Sequence, residues 1–253
     1  MEAARIAAQR GHHVTIYEKG GSLGGFIPLV AGMPHIALGE LYNIVEYLTG
    51  QIKKLQIKVV LNQEVTPELV ESVKPDAVIV ATGSRTVGPD VPGMSDPRVV
   101  TLDDVLSKKA TVGQRVVILG GDHGSELSVS LAKQGKHVTV VEPGWRTAGA
   151  PYFAQFGRAE LLRRMMKEAG VVSLVNTQVK EIVPEGVRVV DKDGKEQVLP
   201  ADTIVNAWKR VPNDSLARAL RGKVPELYAI GDATGAHSIQ KAIEDGHWAG
   251  RTV

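Results

Sequence analysis

The sequence predicts an α/β protein in which one βαβ unit occurs twice, each copy around a central parallel sheet. Three observations predict it. The first is residues 116–143, VVILGGDHGSELSVSLAKQGKHVTVVEP. Four apolar residues of the kind buried in a parallel sheet lead into a glycine cluster, Gly120, Gly121 and Gly124. A helical segment follows with Leu127, Leu131 and Ala132 on one face, Gly135 stops it, and the strand 138–141 ends in Glu142. The second is a repeat: residues 1–18 align without gaps on residues 125–142. They share Glu2/Glu126, Ala8/Ala132, Gly11/Gly135, His13/His137, Val14/Val138, Thr15/Thr139 and Glu18/Glu142. The third is the closing stretch, where the apolar run 227–230 exits through Gly231 and Asp232 into a helix over 238–250.

Strand, glycine turn, helix, strand and terminal acid are the parts that hold a dinucleotide. The turn lets backbone N–H groups approach a pyrophosphate, and the acid meets the ribose hydroxyls. The first position of the G-x-G-x-x-G spacing is Leu119. Met1 aligns with Ser125, so the first strand and glycine turn of the first copy are expected to be missing.

The chain of 253 residues is long enough for one large or two smaller domains with real cores. A hydrophobic fraction of 43% and a charged fraction of 23% are ordinary for a globular protein. A formal charge of +2 with no basic stripe argues against nucleic acid as the main partner. The absence of cysteine excludes disulfides, thiolate metal sites and a redox dithiol. No segment has the length and apolarity of a bilayer span, and the first residues resemble an amphipathic helix rather than a signal peptide, so a cytoplasmic protein without membrane contact is expected.

Taken in order, residues 2–10 form a helix ended by Gly11, and 14–17 a buried strand with Glu18 at its edge. In KGGSLGGFIPL, Gly24 and Gly25 let the backbone pass close to another group. From His35 to Leu55, Leu41, Ile44, Val45, Leu48, Ile52 and Leu55 recur at helical spacing and belong to the core. A strand at 57–61 precedes an Asn-Gln turn and Val65, then a helix opens at Thr66-Pro67. The apolar strand 77–80 leaves through Ala81, Thr82 and Gly83, whose small side chains leave room for a nucleotide. Residues 85–97 have linker composition, and 101–106 form a short capped helix. Beyond Glu142, residues 143–156 lack periodicity, 158–169 are helical and 171–175 a strand. Strands near 180–182, 187–190 and 196–199 make a β-meander, and 203–207 is the last strand of that half.

In this order YEKGGSLGG, DAVIVATGS, the repeated unit and LYAIGDA…AIEDGHWAGR resemble the C-terminal region of the Old Yellow Enzyme-like NADH:flavin oxidoreductases. That family includes 2,4-dienoyl-CoA reductase, 2-enoate reductases and trimethylamine dehydrogenase. The resemblance spans essentially the whole chain and implies two interleaved Rossmann-like dinucleotide-binding domains with central parallel sheets and β-meander insertions. The first domain, of FAD type, takes residues 1–100 and 214–253, and the NAD(P)-type domain takes 101–213. Carried over, Glu18 and Lys19 face the FAD adenosine, Leu23, Gly24 and Gly25 lie along the flavin side, and Val65 contacts adenine. Ala81, Thr82 and Gly83 line the diphosphate, Gly231 and Asp232 hold the ribityl chain, and Ile239 and Ala242 sit near the isoalloxazine. Gly120, Gly121, Gly124 and Glu142 form the nicotinamide nucleotide site, where the acid favours NADH over NADPH.

In that family a TIM barrel carrying FMN and an iron–sulfur cluster precedes this region. The chain holds neither the barrel nor the first fingerprint, and Ala207-Trp208-Lys209 stands where the family often has Ala-x-Gly. The resemblance implies an electron-transfer module that relays hydride from NADH through FAD to a partner FMN barrel, in a hetero-oligomer. No side chain need act as an acid or base, because the cofactors carry the chemistry. The alternative is a non-catalytic subunit holding ADP in place of FAD, toward which Leu119 and Lys209 lean. An open edge beside the strand 14–17 predicts a partner.

Overall fold

The computed structural model describes residues 1–36, 38–144, 156–235 and 238–253. The elements run α1 (Glu2–Gln9), β1 (Thr15–Tyr17), α2 (Ile27–Ala31), α3 (Tyr42–Lys54), β2 (Lys58–Val60), α4 (Pro67–Val73), β3 (Ala77–Val80) and β4 (Ser84–Val87). They continue with β5 (Val99–Thr101), α5 (Leu102–Leu106), β6 (Arg115–Leu119), α6 (Asp122–Lys133), β7 (His137–Val141), α7 (Phe156–Glu168) and β8 (Val172–Leu174). The remainder is β9 (Gln178–Val183), β10 (Gly186–Val190), β11 (Glu196–Pro200), β12 (Thr203–Asn206), β13 (Lys209–Pro212), α8 (Ser215–Leu220), β14 (Glu226–Ala229) and α9 (Ile239–Thr252). Two compact units result, one of residues 1–31, 39–85 and 211–253, the other of 32–38 and 86–210.

The second unit is the fuller copy. Its parallel sheet has the order β5-β12-β6-β7-β8, with β6 central and Val116, Val117, Ile118 and Leu119 buried on both faces. The meander β9–β10–β11 is antiparallel and packs Val179, Ile182, Val187 and Val189 against Val117, Leu119, Val141 and Ile204. In the first unit the strands form two parallel ribbons, β1 with β2 and β14 with β3. Helix α1 lies against both: Ala3 clusters with Ile230, Tyr228 and Ile79, while Ala4 and Ala8 cluster with Val14, Ile16, Ile57 and Val59. Helix α9 reaches α1 through Gly246 and Gly250, and Glu2 bonds the His247 ring at 3.2 Å.

The caps that the sequence signals are in place. Thr66 Oγ1 accepts the Leu69 N–H, Thr101 Oγ1 the Asp104 N–H, and Ser238 Oγ the Lys241 N–H. The helix expected from His35 begins only at Tyr42, after a 3-10 turn over Gly39–Leu41, because Pro34 and a left-handed His35 (φ 64°) break the run. Strand β4, at the start of residues 85–97 where linker was expected, pairs with β13.

Two guanidinium–carboxylate pairs brace the second unit. Arg98 donates to Asp96 and to the Val183 and Pro184 carbonyls, and Arg115 donates to Asp202 at the start of β12. These hydrogen bonds hold both carboxyls down from the ordinary 3.8 to about 2. A folded pKa below the unfolded one gives stabilisation that is complete above pH 3.8 and lost as pH falls through about 2. An Asp96→Asn/Asp202→Asn variant is therefore expected to lose less stability than the parent between those limits. Urea midpoints measured through this window check it, and equal slopes for the two proteins would refute it.

Candidate nucleotide-binding sites

The two copies agree down to single hydrogen bonds. In the first, the Glu18 N–H donates to Val60 O, Asn62 N–H to Gly20 O and Gln63 N–H to Glu18 O. In the second, the Glu142 N–H donates to Leu174 O, Asn176 N–H to Gly144 O and Thr177 N–H to Glu142 O. Asn62 and Asn176 are both left-handed, at φ 56° and 50°, as asparagine tolerates. The result is one loop made twice, at the C-terminal end of β1 and again of β7, with a half-buried carboxylate at its rim. Such strand ends are where open α/β sheets bind ligands. Glu18 is oriented by the Gly20 N–H, which donates to its Oε1 at 2.6 Å. Lys19 beside it is exposed.

At the exits of β3 and β14 the structure gathers the rest of the first-unit group. Asp232 Oδ2 accepts from Ser84 Oγ at 3.0 Å, tying Gly231-Asp232 to the Ala81–Thr82–Gly83 exit. Thr82 Oγ1 donates to Asn213 O, and the Asn213 N–H returns to Gly83 O at 2.9 Å. The Gly231 N–H donates to Asp245, and Ala242 packs beside Gly231. Ile239 opens α9 and is partly exposed, while Val65 packs with Val70 and Val80.

Not every glycine faces open space. A Cβ on Gly24 would lie 2.8 Å from Val45 Cγ1, so that glycine is needed for packing on α3. Gly25 and Gly83, at φ 60° and 71°, have nothing within 4 Å and leave backbone approachable. Leu23 is half-buried. In the second unit Gly121, at φ 82°, precedes α6, and its missing Cβ makes room for the Ala207 carbonyl. Gly120 faces Trp208 Cε3, and a Cβ on Gly124 would lie 2.9 Å from that of Ala207 and 3.0 Å from Ile118 Cγ2. This close helix–strand packing is the role of the third glycine in such turns. The first N–H groups of α6 remain outside the helical ladder, the feature that receives phosphate.

A pair of buried carboxylates also recurs. Glu126, 2% exposed, bonds His123 Nδ1 at 2.8 Å and accepts from Arg158. Glu2 sits at the equivalent place in α1 with Arg5 and His247. The Arg5 hydrogen bond holds the Glu2 carboxyl below its ordinary value, against the opposing effect of burial. The repeat in the sequence pairs Glu2 with Glu126 without giving them a role, and the Asn62-Gln63 turn is legible there while its counterpart at Asn176 is not. Among the described residues no group of three or more His, Cys, Asp or Glu is placed to hold a metal, and no helix is long and apolar enough to cross a membrane.

Known proteins match this architecture along its whole length. The chain is 32% identical over 255 residues to a bilirubin reductase of Mediterraneibacter gnavus, covering 100% of this chain and 39% of that one. It is 32% identical over 246 residues to a cinnamate reductase of Clostridium sporogenes, covering 96% and 36%. A solved 2-naphthoyl-CoA reductase complex superposes with a TM-score of 0.93 at 35% identity, covering 100% of this chain and 38% of that one. The chain thus spans under two fifths of the length of these relatives, and the resemblance drawn from its motifs holds. A family model described as pyridine nucleotide-disulphide oxidoreductase matches residues 1–246, and the chain belongs to that family.

Proposed function

We propose that the chain is the nucleotide-binding, electron-transfer part of an NADH:flavin oxidoreductase, taking FAD in the first unit and NADH in the second. The observation that supports this is the duplicated loop around Glu18 and Glu142, which sets an acidic residue just past the end of β1 and of β7, the position from which such an acid meets adenosine ribose hydroxyls in dinucleotide-binding folds. In the first unit Glu18, Lys19 and Val65 hold the adenosine end. Leu23, Gly24 and Gly25 line the flavin side, Ala81, Thr82 and Gly83 line the diphosphate, and Gly231 and Asp232 hold the ribityl chain, with Ile239 and Ala242 beyond. In the second unit Gly120, Gly121 and Gly124 shape the turn before α6, and Glu142 binds the ribose and repels a 2′-phosphate.

Bound flavin would supply the two-electron chemistry, while the chain's residues bind and orient. With no cysteine in the sequence, electrons have no dithiol acceptor here and must leave for another carrier. The carrier is an FMN-bearing TIM barrel, as domain or subunit, in a cytoplasmic assembly. The decisive experiment extracts nucleotides under denaturing conditions from the protein purified with its partners, identifies them by mass, and measures NADH oxidation with an artificial acceptor. FAD in the extract with NADH turnover is expected. Absence of both flavin absorbance and NADH oxidation would overturn the proposal. A second reading, an ADP-holding structural subunit, is favoured by the Trp208 ring lying against Gly120, and ADP without turnover would select it.

A further inference from the structure

We infer that Ser84 is a positioning residue for the flavin site, its hydroxyl holding the Asp232 carboxylate in the orientation that receives the ribityl hydroxyls. The inference rests on the reading of the first unit as the FAD site, and it adds the residue that follows the Ala81–Thr82–Gly83 exit.

The strand register brings the two side chains together. Strands β3 and β14 run parallel with Val80 opposite Ala229, and the Ile230 N–H donates to Val80 O at 3.0 Å. Both chains therefore leave the sheet side by side. Each then turns at a left-handed glycine, Gly83 at φ 71° and Gly231 at φ 58°. Ser84, the first residue of β4, arrives against Asp232 with its Oγ 3.0 Å from Oδ2. An ionised carboxylate only accepts, so the serine is the donor.

The backbone on both sides of this pair is pinned. The Gly231 N–H donates to Asp245 Oδ2 at 3.1 Å, and Gly231 O accepts both the N–H and the hydroxyl of Thr234, each at 2.9 Å. Asp245 pairs in turn with Lys241, one turn earlier in α9. Opposite, Thr82 Oγ1 donates to Asn213 O, and the Asn213 N–H donates to Gly83 O. None of these bonds acts on the side-chain rotation of Asp232, whereas the Ser84 hydroxyl does so directly. Both residues are half-buried, which limits competition from water. A carboxylate has about four acceptor sites, so a bond from serine leaves it able to take the hydroxyls of a bound polyol. An acceptor oriented before the ligand arrives spares binding the cost of ordering it.

The test titrates the protein, purified with its partners and stripped of nucleotide, with FAD and separately with ADP. ADP shares the adenosine and the diphosphate but lacks the ribityl chain. Ser84→Ala is expected to raise the Kd for FAD about 2–12-fold, the usual cost of ordering one side chain on binding, and to leave the Kd for ADP unchanged. In an Asp232→Ala background the same change should weaken FAD no further, because the residue through which it acts is gone. A general loosening of the fold would weaken both nucleotides and would persist in that background. Unchanged FAD affinity in Ser84→Ala, equal losses for FAD and ADP, or additive losses in the double variant overturn the inference alone. A parent protein that takes up no FAD overturns the FAD reading of the first unit, and the inference with it.

Discussion

A Gly250→Val variant is expected to lose about 3 kcal/mol of stability, the cost of forcing a branched side chain into a filled contact. In a chain of this length that lowers the melting temperature by roughly 6–12 °C. The site leaves no alternative. A Cβ at Gly250 would come within 2.5 Å of Ala3 O and 2.8 Å of Ile6 Cβ, both on α1. The obstacle is backbone and a β-branched stem, neither of which swings aside. Relief requires α9 to lift from α1, which breaks the cluster of Ala3, Ile230 and Ala249 and draws His247 from Glu2. Gly50, exposed in the middle of α3 with nothing within 4 Å, is the control. Gly50→Ala should stabilise by about 0.5–1 kcal/mol through helix propensity alone. Thermal unfolding followed by far-ultraviolet circular dichroism reads both. A Gly250→Val protein melting within a degree of the parent would show that the α1–α9 contact does not support the first unit.

That contact was legible in the sequence only in part. The repeat showed α1 and α6 as equivalents, each closed by a glycine, and Gly11 and Gly135 do adopt φ 94° and 83°. It showed Glu18 and Glu142 at equivalent strand ends, because residues 1–18 match 125–142 without a gap. The match continues through the left-handed Asn62 and Asn176, but a longer segment lies between Glu18 and Asn62 than between Glu142 and Asn176. An ungapped comparison loses it there. The recurring N-x-x-V of Asn62–Val65 and Asn176–Val179 was the available signal. Strands β4 and β13 were hidden for another reason. They are short, carry no alternation, and exist through pairing with each other across the whole second unit's length of chain. Helices α2 and α8 are too short to show a face. What Gly120 and Gly121 face is likewise set by Ala207 and Trp208, which no local pattern around the turn reveals.

The duplicated loop separates the two nucleotides experimentally. A carboxylate accepting from ribose hydroxyls is a charged hydrogen-bond partner, contributing about 1.5–3 kcal/mol, or roughly 10–150-fold in affinity. Glu142→Ala is expected to raise the Kd for NADH by about that factor and to narrow the preference over NADPH, since the charge that repels a 2′-phosphate is gone. Flavin content should be unaffected. Glu18→Ala should do the reverse, with flavin lost on dialysis and NADH affinity retained. Its effect should be somewhat larger, because Glu18 also fixes its own loop through the Gly20 N–H at 2.6 Å. The hydrogen bonds that close the loops, Gln63 N–H to Glu18 O and Thr177 N–H to Glu142 O, use backbone atoms and survive both substitutions. A loss of binding therefore reports on the missing carboxylate, together in Glu18→Ala with its bond from the Gly20 N–H, rather than on a collapsed strand end. Flavin content by absorbance and NADH affinity by fluorescence titration give the four numbers. If the two variants weaken the same nucleotide, or neither, the equivalence of the two loops is structural only, and the assignment of FAD to the first unit and NADH to the second falls.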